Sequence, residues 1–264
     1  MNTLHKRVCV SGLLEFKTAF HIGSGREGDL ATDMGVLKGV DSSPVLPGST
    51  LKGNFRTFAE RLAPHLGMTA CELDTALSGI SCVNDESYRK KVTDDFRSQK
   101  TDPERLQWLE RHTCDVCGLF GSPFQAGRIF FSDGILKQWS RTYEIRDGIC
   151  IDRDSETARH GAKYDFEIVP SGTSFEITID MENPRDKDLA LVGAVLSEWE
   201  MGFRLGGFTS RGLGKVECTN VKVKQVDYSN MEQLKNYLLK RAMEPADNIF
   251  ANALNVHLQT VQAL

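Results

Sequence analysis

An α+β fold is the class this sequence predicts, and three observations predict it. Runs such as VECTNVKVKQV (216–226) alternate apolar and polar residues with the period of half-buried strands. Two longer stretches, 51–62 and 187–205, repeat apolar residues at helical spacing. The order is strand, loop, strand, helix, insertion, strand, excursion, strand, strand, helix, loop, strand, helix, and its strand–helix–strand units with antiparallel hairpins predict a ferredoxin-like, split βαβ core.

Each element has its own justification. Residues 8–22, VCVSGLLEFKTAFHI, alternate loosely and predict a first strand. GSGREGDLATDMG (23–35) is a turn-rich loop. VLKGVDSSPVLPGS (36–49) predicts a short hairpin closed at Asp41-Ser42-Ser43-Pro44. Ser49 or Thr50 is placed to cap a helix whose stripe is Leu51, Phe55, Phe58 and Leu62, with Pro64 near its end. Residues 67–112 are polar and charged and read as a partly helical insertion; with its cysteines it extends over 67–120. GRIFFSDGIL (127–136) has a strand pattern, and 141–165 is a long, apolar-poor excursion. DFEIVPSGTSFEITIDM (165–181) predicts a hairpin around Pro170-Ser171-Gly172. A second helix over 187–205 runs into a glycine-rich loop, a strand follows over 214–228, and 231–245 closes the chain as a helix. No internal repeat interrupts this order, so 1–264 is expected to be one domain.

Composition narrows the function. Of the 264 residues 40% are apolar and 26% charged, the balance of a soluble globular protein. No apolar run is long enough to span a bilayer, and MNTLHKRVCVSGLLEF lacks an apolar leader core, so a cytoplasmic protein without membrane partners is expected. The net charge of −4 argues against a general binder of phosphate backbone, so any such site must be a local patch. Seven cysteines, an odd number, argue against a disulfide framework.

Two of those cysteines carry metal-ligand spacing. HTCDVCG (112–118) contains His112, Cys114 and Cys117, and Cys71 and Cys82 lie upstream. A structural Zn2+ needs four N/S ligands. Cys82, Cys114 and Cys117 supply three, and either Cys71 or His112 the fourth. Such a site would pin an insertion poor in apolar residues. A redox pair lacks the βαβ context it needs here. Cys9, Cys150 and Cys218 fall in strand patterns and are expected in the core.

The loop GFRLGGFTSRGLGKV (202–216) admits several readings. A dinucleotide fingerprint runs strand, loop, helix; here the order is reversed. A helix C-cap with a turn is the plain reading. A phosphate-tracking loop is the sharper one: Gly206, Gly207 and Gly212 offer bare backbone, and Arg204, Arg211 and Lys215 offer charge. Phe203 and Phe208 would pack beneath it or stack on bases.

This loop is one of five segments in series that resemble the RAMP superfamily, the repeat-associated RNA-binding subunits of CRISPR effector complexes. The other four are HIGSGREGDLATD (21–33), LPGSTLKGNFR (46–56), CGLFGS (117–122) and IDRDSETARHGAKYDFEIVPSGTSF (151–175). The nearest subgroup is the type III backbone subunit, of type III-D or a related variant. The resemblance implies an RRM-like RAMP core that binds guide RNA and cleaves complementary target RNA at regular intervals. It implies an aspartate of the first loop as the cleaving group. Asp29 and Asp33 are the candidates, and Asp33, nearer the next strand, is favoured, with Mg2+ or Mn2+ supporting cleavage. Ser49, Lys52 and Arg56 would hold guide phosphates at a helix start. Residues 141–165 would form a thumb-like hairpin, with Ile151, Ala158 and Tyr164 wedging bases and Arg153 and Arg159 on phosphates; His160 there is a lone histidine with no assigned role. His21 would border the RNA. Partners would be guide RNA, target RNA and other type III subunits, including copies of this chain. Two alternatives stand: a non-catalytic subunit that only coats the guide, and a stand-alone endoribonuclease that processes precursor guide RNA through His21.

Overall fold

A computed structural model describes residues 3–23, 25, 32–71, 82, 86–99, 101–123 and 125–262. The fold is mixed α+β around an antiparallel sheet. Its centre is β1 (Lys6–Phe16), paired on one side with β6 (Ser174–Glu182) and on the other with β8 (Lys215–Asp227). The strand order is β2-β6-β1-β8-β7, where β2 is Ile129–Phe131 and β7 is Phe203–Arg204. β3 (Ile135–Gln138) also pairs β6, and β9 (Glu244–Pro245) pairs β8.

Alternation decides which face is buried. Val8, Val10, Leu14 and Phe16 of β1 are buried while Arg7, Cys9, Ser11 and Glu15 are not. Their cross-strand partners Met181, Ile179 and Phe175 share the buried face. Against it pack α1 (Gly48–Leu62), through Leu51, Phe55 and Ala59, and α5 (Asp186–Met201), buried almost all round. Trp199 seals the contact, edge-on to Phe55 and stacked on Phe203 at 4.4 Å. Between α1 and β2 lie α2 (Glu86–Ser98), α3 (Asp102–His112) and α4 (Asp115–Phe120). α6 (Met231–Lys240) and α7 (Ile249–Gln262) end the chain.

Several expectations need correction. Neither Ser49 nor Thr50 caps α1. Pro47 occupies the cap position, and the Gly48 amide donates instead to Asp133 Oδ1 at 2.7 Å. That long-range cap is available because Gly48 lies against the Phe131 carbonyl. The hairpin expected around Pro170-Ser171-Gly172 does not pair with itself. Both edges of β6 are taken by β1 and by β2 with β3, so 165–168 belongs to β5 (Ala158–Ile168) and pairs with β4 (Glu144–Ile151). The 141–165 excursion is the outer part of this two-stranded ribbon. It stands off the core, which is why Cys150 is exposed, whereas Cys218 is buried and Cys9 half-buried. The 231–245 helix stops at Lys240 because Arg241 takes a left-handed φ of 52°. α7 was not foreseen; its inward anchor is Phe250, packed on Gly193.

Candidate nucleic-acid interface and metal centre

The glycine loop touches protein before it can touch anything else. The Gly207 amide donates to the His21 carbonyl at 2.7 Å, and a Cβ on Gly206 would overlap that oxygen. These two glycines let the loop lie on the first loop's backbone. Gly212 differs: its φ is +89° and a Cβ there meets nothing within 4 Å. Phe208 turns inward and stacks on Phe166 of β5 at 4.3 Å, and His21 meets its ring edge at 5.4 Å. Phe166, Ala19, Ile168 and Leu213, with Met34, Tyr164 and Phe208 packed against them, form a small second core joining the first loop, the hairpin base and the glycine loop.

The His21 ring is buried at 7% exposure, with Nδ1 2.7 Å from the Glu167 carbonyl. The cations sit on the rim. Arg211 lies over Phe208 and donates to the Tyr164 hydroxyl. Arg204 donates to the Thr209 carbonyl at 2.9 Å. Lys215 is exposed at the start of β8. Asn54 of α1 donates to the Arg204 carbonyl at 2.9 Å, which brings the start of α1, with Ser49 and Lys52, beside the loop.

Arg56 does not join them. It forms an ion pair with Glu60 at 2.8 Å and donates to Cys117 Sγ at 3.2 Å. Burial pulls its pKa down, but Glu60 and Cys117 more than compensate, so the net direction is upward. The i, i+4 spacing with Lys52 is real, yet the long side chain bends toward the half-exposed Glu60 and the buried Cys117.

Asp33 is exposed and docks along β5. Its amide donates to Asp165 Oδ1 at 2.8 Å, and the Asp165 amide donates to Asp33 Oδ2 at 3.0 Å. Next to it, Met34 bridges Phe166 in parallel. Glu167 is nearly buried and anchors the rest of this segment. It accepts from the Val36 amide at 3.2 Å and pairs with Lys38 at 2.6 Å. Lys38 in turn lies over the Tyr143 ring, whose hydroxyl burial pushes up to about 12. Asp165, Glu167, Thr32 and Lys38 were not foreseen as site residues, because their contacts link positions about 130 apart in the chain. Asp29 lies outside the described residues, as do the side chains of Arg159 and His160. Arg153 is exposed at the hairpin tip, where Asp152 Oδ1 accepts the Asp154 and Ser155 amides. Ile145, Ile149 and Ile151 are exposed along one side of β4.

The cysteines converge. The Sγ atoms of Cys71, Cys82, Cys114 and Cys117 all lie within 4.8 Å of one another, and none is in a disulfide. Two backbone amides point at the sulfurs, Cys117 N to Cys114 Sγ at 3.3 Å and Cys114 N to Cys82 Sγ at 3.4 Å. Such donors stabilise thiolates. Hydrogen bonds from Cys114, Cys117 and Cys82 hold Cys71 well below the usual thiol range, and those with Cys114, Cys71 and Cys82 push Cys117 far above it. Four thiols sharing protons in this way suit a soft tetrahedral cation. Of the two fourth ligands the sequence left open, the structure brings in Cys71 and leaves out His112. As the last residue of α3, His112 stacks on Trp108 at 4.0 Å and sets Nδ1 2.8 Å from that residue's carbonyl.

A family model, the RAMP superfamily, matches residues 13–217 of this chain. The chain belongs to the RAMP superfamily. Among curated proteins it is similar to the CRISPR system Cms endoribonuclease Csm3 of Methanocaldococcus jannaschii, 25% identical over 238 residues that cover 84% of this chain and 82% of the relative. It is similar to the protein of the same name from Streptococcus thermophilus, 26% identical over 83% of this chain and 90% of the relative. A third, from Methanothermobacter thermautotrophicus, is 24% identical over 83% and 86%. The RAMP match takes in the first loop, α1, the cysteine cluster, the hairpin and the glycine loop. It stops at Glu217 within β8, so α6, β9 and α7 lie beyond it. Among the described residues no helix is long and apolar enough to cross a membrane.

Proposed function

We propose that this chain is the backbone subunit of a type III CRISPR effector complex: it binds guide RNA and cleaves complementary target RNA at regular intervals. The observation that carries this reading is the convergence, inside the span matched by the RAMP family, of the Asp33 loop, the hairpin and the glycine loop on one small core. Three curated relatives named as Csm3 endoribonucleases support the activity.

In this reading the order β2-β6-β1-β8, with α1 and α5 on one face, is a ferredoxin-like core within a single domain, working in the cytoplasm. Residues 67–120 are an insertion stapled by Zn2+ on Cys71, Cys82, Cys114 and Cys117. Residues 141–165 are a thumb whose isoleucines wedge between bases while Arg153 and Arg159 meet phosphate. Guide phosphates run over Ser49, Lys52, Arg204, Gly212, Arg211 and Lys215. Asp33 is the catalytic residue. Its exposed carboxylate orients or deprotonates the 2′-hydroxyl of a displaced nucleotide. Hard cations use one or two carboxylates plus substrate phosphates, so Asp33 would hold Mg2+ or Mn2+ at the scissile phosphate, which neutralises developing charge. Neighbouring copies of this chain and other type III subunits continue the RNA groove.

His21 is enclosed by Phe166, Phe208 and the Glu167 carbonyl, so the geometry does not favour a stand-alone processing enzyme built on that ring. The test is to purify the assembled complex, sequence its RNA, and assay a complementary RNA. Repeat-derived guide is expected, with Asp33→Ala losing cleavage while keeping guide and assembly. Absence of guide RNA overturns the reading; full cleavage by Asp33→Ala leaves the chain only a coat on the guide.

A further inference from the structure

A catalytic carboxylate on an exposed loop has to be aimed by something else. We propose that Asp165 is the positioning residue that aims Asp33, and that it does so from β5, the inner strand of the hairpin. This rests on the assignment of Asp33 made above.

The two residues form a closed ring of hydrogen bonds. Each backbone amide donates to the other's carboxylate, Asp33 N to Asp165 Oδ1 at 2.8 Å and Asp165 N to Asp33 Oδ2 at 3.0 Å. The Thr32 hydroxyl donates to the same Asp165 Oδ1 at 2.7 Å. One oxygen of Asp33 is therefore fixed. Among the described residues the other, Oδ1, receives no hydrogen bond and stays open to a substrate hydroxyl or a cation. Two adjacent carboxylates would ordinarily oppose each other's ionisation. Here the Thr32 hydroxyl, then the Asp33 amide, hold Asp165 below the usual carboxylate range, so the ring's acceptor remains charged.

The ring is the first link of a longer zipper. The Glu167 amide donates to the Met34 carbonyl at 2.9 Å, and the Glu167 carboxylate then takes the Val36 amide and Lys38. Residues 32–38 thus ride on β5. Any displacement of the hairpin by RNA carries the Asp33 carboxylate with it, so wedging of a base and aiming of the carboxylate are one motion.

The experiment is single-turnover cleavage of complementary RNA by the assembled guide complex carrying Asp165→Ala, Asp165→Asn, Thr32→Val or Asp33→Ala. A misaimed group costs about 10–100-fold in rate. Asp165→Ala should lose that much in the cleavage step with RNA affinity unchanged. Asp165→Asn keeps an acceptor for both donors and should retain most of the rate; Thr32→Val should lose several-fold. Wild-type cleavage by Asp165→Ala, or equal loss in Asp165→Asn and Asp165→Ala, overturns positioning; the latter would make Asp165 a reacting carboxylate. If Asp165→Ala does not assemble, Thr32→Val decides, and a wild-type rate there overturns the proposal. Asp33→Ala separates the two levels: its full activity removes the catalytic assignment itself, whatever Asp165 does.

Discussion

Replacing Gly206 by alanine tests whether the glycine loop is built first to grip the protein. Gly206 has φ +95°, a region that costs an L-residue about 1–2 kcal/mol. The new methyl would overlap the His21 carbonyl oxygen and lie 3.3 Å from its carbon and 3.4 Å from Ile22 Cγ1. Relieving such overpacking costs about 1–3 kcal/mol. Moving the loop away breaks the Gly207–His21 hydrogen bond of 2.7 Å, worth about 1 kcal/mol. The whole comes to about 4 kcal/mol, or a melting temperature lower by roughly 8–16 °C for a chain of this size. Gly212→Ala is the control. Its φ of +89° carries the backbone cost but open space surrounds it, so about 1–2 kcal/mol is lost. Scanning calorimetry measures both, and fluorescence anisotropy with a single-stranded RNA at low salt measures binding. Gly206→Ala should lose stability and binding together; Gly212→Ala should weaken binding with a smaller stability change. Equal melting temperatures for the two variants would refute the division of the loop into a protein-facing and an open half.

Other outcomes follow from the same geometry. The purified chain should carry one Zn2+, measured by elemental analysis; Cys71→Ser should lose it and His112→Ala should keep it, and the reverse would restore His112 as the fourth ligand. Lys52→Ala should weaken RNA binding and lower the magnitude of the log–log salt slope by about 1, as for one phosphate contact. Arg56→Ala should instead lower the melting temperature with little change in that slope, because its partners are Glu60 and Cys117. The Asp165 carboxyl, held down by Thr32 and Asp33, should titrate below its ordinary 3.8, read by side-chain 13C shifts. A lowered folded value stabilises above the unfolded pKa and is lost only as pH falls through the folded one. The anchor should therefore be intact at pH 5, and a midpoint at or above 3.8 would contradict it.

Local pattern was enough for the elements that bury one face. The alternation of β1, β6 and β8 and the stripe of α1 state which residues face the core, because burial acts residue by residue. What the sequence could not display is who pairs with whom. The run 165–181 has every mark of a hairpin, yet β6 finds better partners in β1, β2 and β3, and β5 turns out to β4. The same blindness explains the site. The cysteine spacing narrowed the metal ligands to a set of five, but only folding put Cys71 beside Cys117 and stacked His112 on Trp108. Glycines at 206 and 207 were legible as close-approach positions, though not that the backbone approached is His21.

The contacts that the sequence hid share a direction, and it bears on mechanism. Two side chains expected at RNA from local chemistry, Arg56 and His21, each have a protein acceptor within reach that the sequence places far away, Cys117 Sγ and the Glu167 carbonyl. In a chain whose net charge is −4, such acceptors are plentiful. A cation is drawn away from a groove where the fold offers it a carboxylate and a sulfur, as it does Arg56, whereas Arg204 and Arg211 each give up one donor to a neutral oxygen and keep the others. Under the proposed function, Lys52, Arg153 and Lys215 are by that criterion the phosphate ligands to test first, and Asp33 the reacting group to test first. The one oxygen of Asp33 that is fixed is held by an amide rather than by a cation, so no protein cation competes there with what arrives from solution.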